Sequence, residues 1–410
     1  MIIEQRIKDF EKLEFGLFVH FGLYSLIGRG EWALNQCGID PKEYEKLPEK
    51  FNPDPDWAKE LAATAKAAGC KYITITTRHH DGFSLYDNSP LNTYDAPHAL
   101  CGRDLIREFV DACRAEGLKP FFYHTLLDWH EESYNTDFPK YLKYLRDSVE
   151  ILCTRYGEIG GIWFDGMWNK PTADWEEDAL YSLIRRHQPN AMIINNTGMS
   201  ARGALGHIEL DSVTFERGKP DPINMEGAPK YVASEMCQIF GDYWGYARLD
   251  FNFKSLATII EDYCCCRRYG SNLLLNVGPM GDGKLRMLDT AMLRTLGEWI
   301  STFSEATLGT LPTGIEVNGH ENDFIMKSDD CYYLFCKALD REGSSDVIEN
   351  CGDGEGYTLS FSLDEEVKRM TWMDTQESVS YTQKDGVISV YNPKQTYGQS
   401  VVVRIAKIEI

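Results

Sequence analysis

Two adjacent histidines, His79 and His80, stand directly behind the apolar run 71–77 and in front of Asp81. A strand buried on both faces has little use for such a pair, because successive side chains point in opposite directions. The pair therefore reads as a strand end where something polar is held. The same pattern recurs along the chain. His20 lies near the end of the run 15–22, and Glu31 and Trp32 sit in the loop that follows. Tyr123 and His124 lie in the run 119–127, with Asp128 and Trp129 just past it. Trp163 and Asp165 end the run 160–166, Asn195 and Asn196 end 191–196, and Glu216 follows 208–215. Glu235 lies in 231–236 and Asn276 in 272–278. Any one of these could be a satisfied core histidine, a helix cap or a solvated loop charge. Packing accidents do not usually set imidazoles, carboxylates and aromatics at the same end of successive runs.

Such a mixture suits a sugar. Hydroxyls pair with carboxylates and imidazoles, while the C–H face of a pyranose packs on tryptophan or tyrosine. Hydrolysis of a glycoside then needs two carboxyl groups, about 5–5.5 Å apart when one is a nucleophile and the other an acid/base. A metal is the rival use of the same residues, with His20, one of His79 and His80, and a carboxylate such as Asp165 as ligands. Adjacent histidines diverge in a strand, so both could reach one ion only from a loop. The expectation is a site with neither metal nor cofactor.

The elements that must carry these residues alternate. Between the apolar runs lie helical stretches at 56–69, 102–117, 139–157, 174–189 and 255–270. The stretch 102–117 places Leu105, Phe109, Val110 and Cys113 on one side. Strands alternating with helices imply a parallel sheet with helices outside. Eight such runs, without a GxGxxG after the first, favour a closed (β/α)₈-like TIM barrel over a dinucleotide-binding sheet. In a barrel the C-terminal strand ends converge on one pocket. Beyond about residue 305 the runs become short, β-rich and separated by turn-forming pieces. The expected division is a catalytic barrel over 1–309 and a small antiparallel β-sandwich over 310–410.

The formal charge of -21 argues against a nucleic-acid surface. No run of eighteen apolar residues suggests a membrane span, and the first sixteen residues are too charged for a signal peptide, so a cytoplasmic location is expected. Twelve cysteines, three of them consecutive at Cys264, Cys265 and Cys266, include no CxxC pair and read as reduced thiols. The acidic surface sets no oligomeric state.

With these residues in place, the chain resembles the α-L-fucosidase family of retaining exo-glycosidases, glycoside hydrolase family 29. The matching stretches are EKLEFGLFVHFGLYS near the start, GEW at 30–32, RHHDGFSLYDN at 78–88, LLDWH at 126–130, GGIWFDGMW at 160–168, YWGY at 243–246 and NLLLNVGPMGDGKL at 272–285. The resemblance implies hydrolysis of terminal α-linked L-fucose from oligosaccharides or glycoconjugates, with Asp165 as nucleophile. It implies that His20, Glu31, Trp32, His79 and His80 grip the sugar hydroxyls, while Tyr123 and Trp163 border the ring. Glu216 is the best match for the acid/base, with Glu209 and Glu226 open by spacing, and Glu235 matches a substrate-side glutamate. Some members carry an arginine just after the fifth strand, where this chain has Asn196 and Thr197. Either Arg202 or Arg217 reaches in, or the acid/base environment differs. Two other readings stay open: a sugar-binding protein without catalysis, and a related glycosidase acting on a galactoside-like sugar.

Overall fold

Each of the eight apolar runs supplies one strand of a closed parallel barrel in chain order. The strands of this computed structural model are β1 (Phe15–Val19), β2 (Tyr72–Arg78), β3 (Lys119–Thr125), β4 (Gly161–Asp165), β5 (Met192–Asn195), β6 (Ser212–Glu216), β7 (Ala233–Ile239) and β8 (Asn272–Val277). The structure describes residues 3–199, 201–337, 339, 341–342, 356–393, 395–396 and 402–410. Closure is made by β1 against β8, from Phe15 opposite Leu273 to Val19 opposite Val277. Every residue of β1, β2, β7 and β8 is buried, which is why these strands read as continuous apolar runs rather than as alternations.

Four helices follow the first four strands, namely Trp57–Ala67, Leu105–Ala115, Phe138–Arg155 and Glu177–His187. Leu105–Ala115 shows the local logic. Asp104 caps it by accepting from the Arg107 amide, and Leu105, Ile106, Phe109, Val110 and Cys113 are buried along it. After β5 only a short 3₁₀ turn is found among the described residues, and after β6 no helix at all. The barrel is thus (β/α)₈-like, with an incomplete outer ring.

The sixth strand starts later than its apolar pattern suggests, at Ser212 rather than 208. The reason is Asp211. Its buried carboxylate accepts from Arg6, Arg185 and Lys230 and from the Ile193 amide, while its backbone bonds to Ile193 and Ala233, so ionic bonds anchor the chain where pairing begins.

Two compact units divide the chain. Residues 1–254 and 271–297 make one, and 255–270 with 298–410 make the other. Helix Leu256–Tyr269 therefore groups with the C-terminal strands, although it precedes β8 in sequence. In the second unit, strands Arg369–Trp372, Arg404–Glu409, Cys331–Cys336, Phe324–Lys327 and Leu311–Pro312 form an antiparallel sheet in that order. Tyr357–Ser362, Val387–Asn392 and Tyr381–Lys384 form a three-stranded sheet. Leu334 and Ile408 of the first sheet share one apolar core with Leu359, Phe361, Ile388 and Val390 of the other, as a sandwich requires. Among the described residues no disulfide joins two cysteines, the consecutive Cys264–Cys266 included. Cys351 lies outside those residues.

Candidate active site

Aromatic packing builds the floor of the site from the barrel interior. Phe18 of β1 meets Trp163 of β4 edge-on at 5.2 Å, and Tyr123 of β3 stacks on Trp163 at 5.7 Å. Above this layer the C-terminal strand ends surround a cavity of about 450 Å³. His20, Glu31, Trp32, His79, His80, Tyr123, Trp163, Asp165 and Glu216 all line it.

The adjacent histidines reach the same cavity because β2 stops before them. Its register with β3 shifts between Thr76 and Arg78, and His79 and His80 follow on a turn. Their rings lie 4.2 Å apart instead of on opposite faces. Arg78 anchors the turn from behind, donating to Ser84, Ser148 and Tyr86. Asp81 turns away from the cavity and accepts from Tyr44 at 2.6 Å. Burial pushes its carboxyl up to about 7.

Hydrogen-bond partners assign the imidazole tautomers. Asn276 gives its amide hydrogen to the Trp244 carbonyl, so its Oδ1 must accept the Nδ1–H of His20, 2.6 Å away. The Thr125 hydroxyl donates to the Leu127 carbonyl, so its oxygen accepts the Nδ1–H of His80 at 2.7 Å. Both rings are neutral, with Nε2 left as an acceptor. Burial holds His20 near 3 and His80 near 4, the latter despite the opposing pull of Asp165. His79 is also held well below the ordinary range by burial, and its buried Nδ1 has no partner.

Asp165 ends β4 with its side chain 16% exposed. Oδ2 accepts from the Tyr123 hydroxyl at 3.1 Å and faces His80 Nε2 at 3.6 Å. Oδ1 accepts from Trp168 Nε1 at 3.3 Å and from Asn196 Nδ2 at 3.2 Å. The same Asn196 nitrogen donates to Glu216 Oε2 at 2.6 Å. Two bonds from one nitrogen cap the separation of those carboxyl oxygens at their sum, about 5.8 Å. Burial is the chief cause raising the proton affinity of Glu216, and the charge of Asp165 adds to it. Asn196, Arg217 and Arg202 oppose.

Three placements differ from the expectations. Glu235, expected against the substrate, lies outside the cavity lining. Its oxygens accept from Trp163 Nε1 at 2.9 Å and from the Tyr72 hydroxyl at 2.5 Å, so it sits behind the tryptophan. Arg202 does not reach the Glu216 carboxylate but donates from Nε to the Glu216 backbone carbonyl at 2.9 Å. Glu209 is paired with Arg185 and Glu226 is exposed, and neither lines the cavity. Of the residues with no assigned role at the sequence level, Phe18, Trp168, Asn196, Met199, Cys237 and Trp244 line it. Trp168 stood inside the quoted stretch 160–168, and its spacing of three from Asp165 is the signal that could have found it. Cys237 and Phe18 read as core and gave no such sign. No group of three or more His, Cys, Asp or Glu side chains among the described residues is arranged to hold a metal ion.

Two carboxyls this close at the strand ends of a barrel, among neutral imidazoles and tryptophans, are the arrangement that glycoside hydrolysis uses. The profile of the Alpha-L-fucosidase family matches residues 3–305, and the chain belongs to that family. It is 27% identical over 336 residues to the tissue alpha-L-fucosidase of Bos taurus, covering 75% of this chain and 70% of that one. Among solved structures, alpha-L-fucosidase isoenzyme 1 from Paenibacillus thiaminolyticus superposes with a TM-score of 0.81 at 28% identity, covering 99% of this chain and 98% of the other. The fold is shared as well with a GH29 alpha-L-fucosidase from Bacteroides thetaiotaomicron trapped as a covalent intermediate, at a TM-score of 0.80 and 23% identity, over 100% of this chain and 96% of that one.

Proposed function

We propose that this protein is a retaining exo-α-L-fucosidase that releases terminal α-linked L-fucose from oligosaccharides or glycoconjugates. The observation that carries the reading is the spacing of Asp165 and Glu216. A nearest oxygen pair at most about 5.8 Å apart, bridged by one amide, supports the roughly 5–5.5 Å carboxyl spacing of a double displacement. Asp165 attacks the anomeric carbon as the glycosidic C–O bond breaks, and Glu216 gives its proton to the departing oxygen. The resulting carboxylate of Glu216 then takes a proton from water. That water attacks the fucosyl ester, frees fucose with net retention, and regenerates Asp165. Burial raises the proton affinity of Glu216, the direction this role demands.

The neutral imidazoles of His20 and His80 offer acceptors to sugar hydroxyls, and His79, Glu31 and Trp32 complete the grip. Tyr123 and Trp163 border the ring beside the nucleophile. The test is Asp165→Ala assayed on an aryl α-L-fucoside with and without azide. The variant is expected to lose several orders of magnitude, with azide restoring turnover as the β-fucosyl azide. An active variant sinks the nucleophile assignment. A wild type that binds fucose but hydrolyses no α-fucoside moves the reading to a binding protein.

A further inference from the structure

Asn196 spends its side-chain nitrogen on the two carboxyls and its side-chain oxygen on Thr214. Its backbone amide donates to the Phe164 carbonyl at 2.9 Å, which fixes the residue beside the end of β4. Its Oδ1 accepts from the Thr214 hydroxyl of β6 at 3.0 Å. One Nδ2 hydrogen then meets Asp165 Oδ1 and the other meets Glu216 Oε2. A flipped amide would turn its oxygen toward both carboxyls, so these acceptors select the orientation, and the Thr214 hydroxyl holds it by donating to Oδ1.

We propose that Asn196 is a positioning residue, locked by Thr214, that holds Asp165 and Glu216 at their working separation and governs the ionisation of Glu216. This rests on the reading of those two carboxyls as nucleophile and acid/base. A neutral amide donor stabilises a carboxylate without adding charge. It therefore tempers the effects of burial and of Asp165 on Glu216, and it supports the charged form when Glu216 must act as base in the second half-reaction. The other charged or titratable groups facing Glu216 are Asp165 through the shared amide, Arg217 beside it, Arg202 on its backbone carbonyl, Tyr123 of β3, and Cys237 of the neighbouring strand.

The sign follows. Without the Asn196 donor, burial and Asp165 act less opposed, and Glu216 releases its proton at higher pH. The acid is active when protonated, so the basic limb of the kcat/KM profile moves upward. The experiment is a set of pH profiles of the whole protein on a fucosyl disaccharide, whose departure needs the acid, for the wild type, Asn196→Ala, Thr214→Val and Asp165→Ala, with thermal unfolding of each. Asn196→Ala is expected to lower kcat about tenfold or more with the basic limb shifted up by about half a pH unit or more. Thr214→Val, which touches neither carboxyl, is expected to shift the limb the same way by less. Thr214→Val also keeps the proposal testable if the alanine variant does not fold. Basic limbs that coincide with the wild type overturn the proposal, whatever happens to the rate. If Asp165→Ala retains activity, the parent assignment fails; if it is dead while the other profiles do not move, this inference alone fails.

Discussion

Trp163 and Glu235 are joined at 2.9 Å, indole N–H to carboxyl, with the tryptophan facing the cavity and the glutamate behind it. The Tyr72 hydroxyl holds the other oxygen, so the plane of an indole that lines the cavity is set by a buried acid outside that lining. Glu235→Gln keeps an acceptor for one partner and is expected to fold, with a rise in KM larger than any fall in kcat. Glu235→Leu leaves the indole N–H and the tyrosine hydroxyl unpaired and is expected to cost about 2–5 kcal/mol in urea unfolding. Equal stability of the two variants would show that the bonds contribute nothing.

In the proposed mechanism Glu216 separates the two half-reactions. Glu216→Ala removes the acid, which matters most for a poor leaving group and least for one that departs unaided. Its kcat/KM is expected to fall about 10²–10⁴-fold on a fucosyl disaccharide and far less on an aryl fucoside of strongly acidic phenol. Azide is expected to restore turnover and give α-fucosyl azide, since the base is no longer needed for an anionic nucleophile. A uniform loss across leaving groups would assign the acid elsewhere.

Stability should fall on acidification, and the direction can be worked out. His20 and His80 are held near 3 and 4, His124 near 3, and His79 well below its ordinary value, all chiefly by burial. The unfolded chain protonates them near 6.5, so each contributes stability that is present above about pH 6.5 and lost toward the folded values, up to about 1.4 kcal/mol per pH unit. Glu235 and Asp81, raised to about 7, oppose this, because a raised acid loses stability as pH rises. Glu11, Glu31, Asp128, Glu216 and Asp289, also raised by burial, join that opposition, while Asp211 and Asp374, held low by arginines, act with the imidazoles. The imidazoles are expected to set the sign, a net loss between about pH 6.5 and 4.5. Urea midpoints at pH 7, 6 and 5 measure it. A midpoint that climbs through that range contradicts the neutral cluster.

Gly166, next after Asp165, has a φ of +102°. A Cβ there would lie 2.7 Å from the Leu127 backbone nitrogen and 2.8 Å from the Leu127 Cβ. Gly166→Ala is expected to lose about 1–3 kcal/mol of stability and to displace the nucleophile, lowering kcat more than a distant variant of equal stability. Wild-type kinetics in that variant would show that the turn does not set the position of Asp165.

The strands were legible because their burial on both faces writes itself as apolar runs. All eight runs proved to be strands, and the helix at 102–117 showed its buried side as residues three and four apart. The late start of β6 was not legible, since Asp211 draws its partners from Arg6, Arg185 and Lys230, far apart in sequence. The grouping of helix Leu256–Tyr269 with the C-terminal strands was hidden for the same reason.

Residue type and strand-end position by themselves determined which side chains could share a pocket, because a closed parallel barrel brings the C-terminal ends of all its strands to one rim. Only the tertiary structure decided how they divide the work. His79 and His80 face one cavity because a register shift ends β2 just before them. Glu235 serves Trp163 rather than a ligand because its side chain lies one layer below the rim. Asn196 spans Asp165 and Glu216 because β4, β5 and β6 place three side chains within hydrogen-bond reach of one another. These are relations of direction and distance between remote residues, and no local pattern along the chain encodes them.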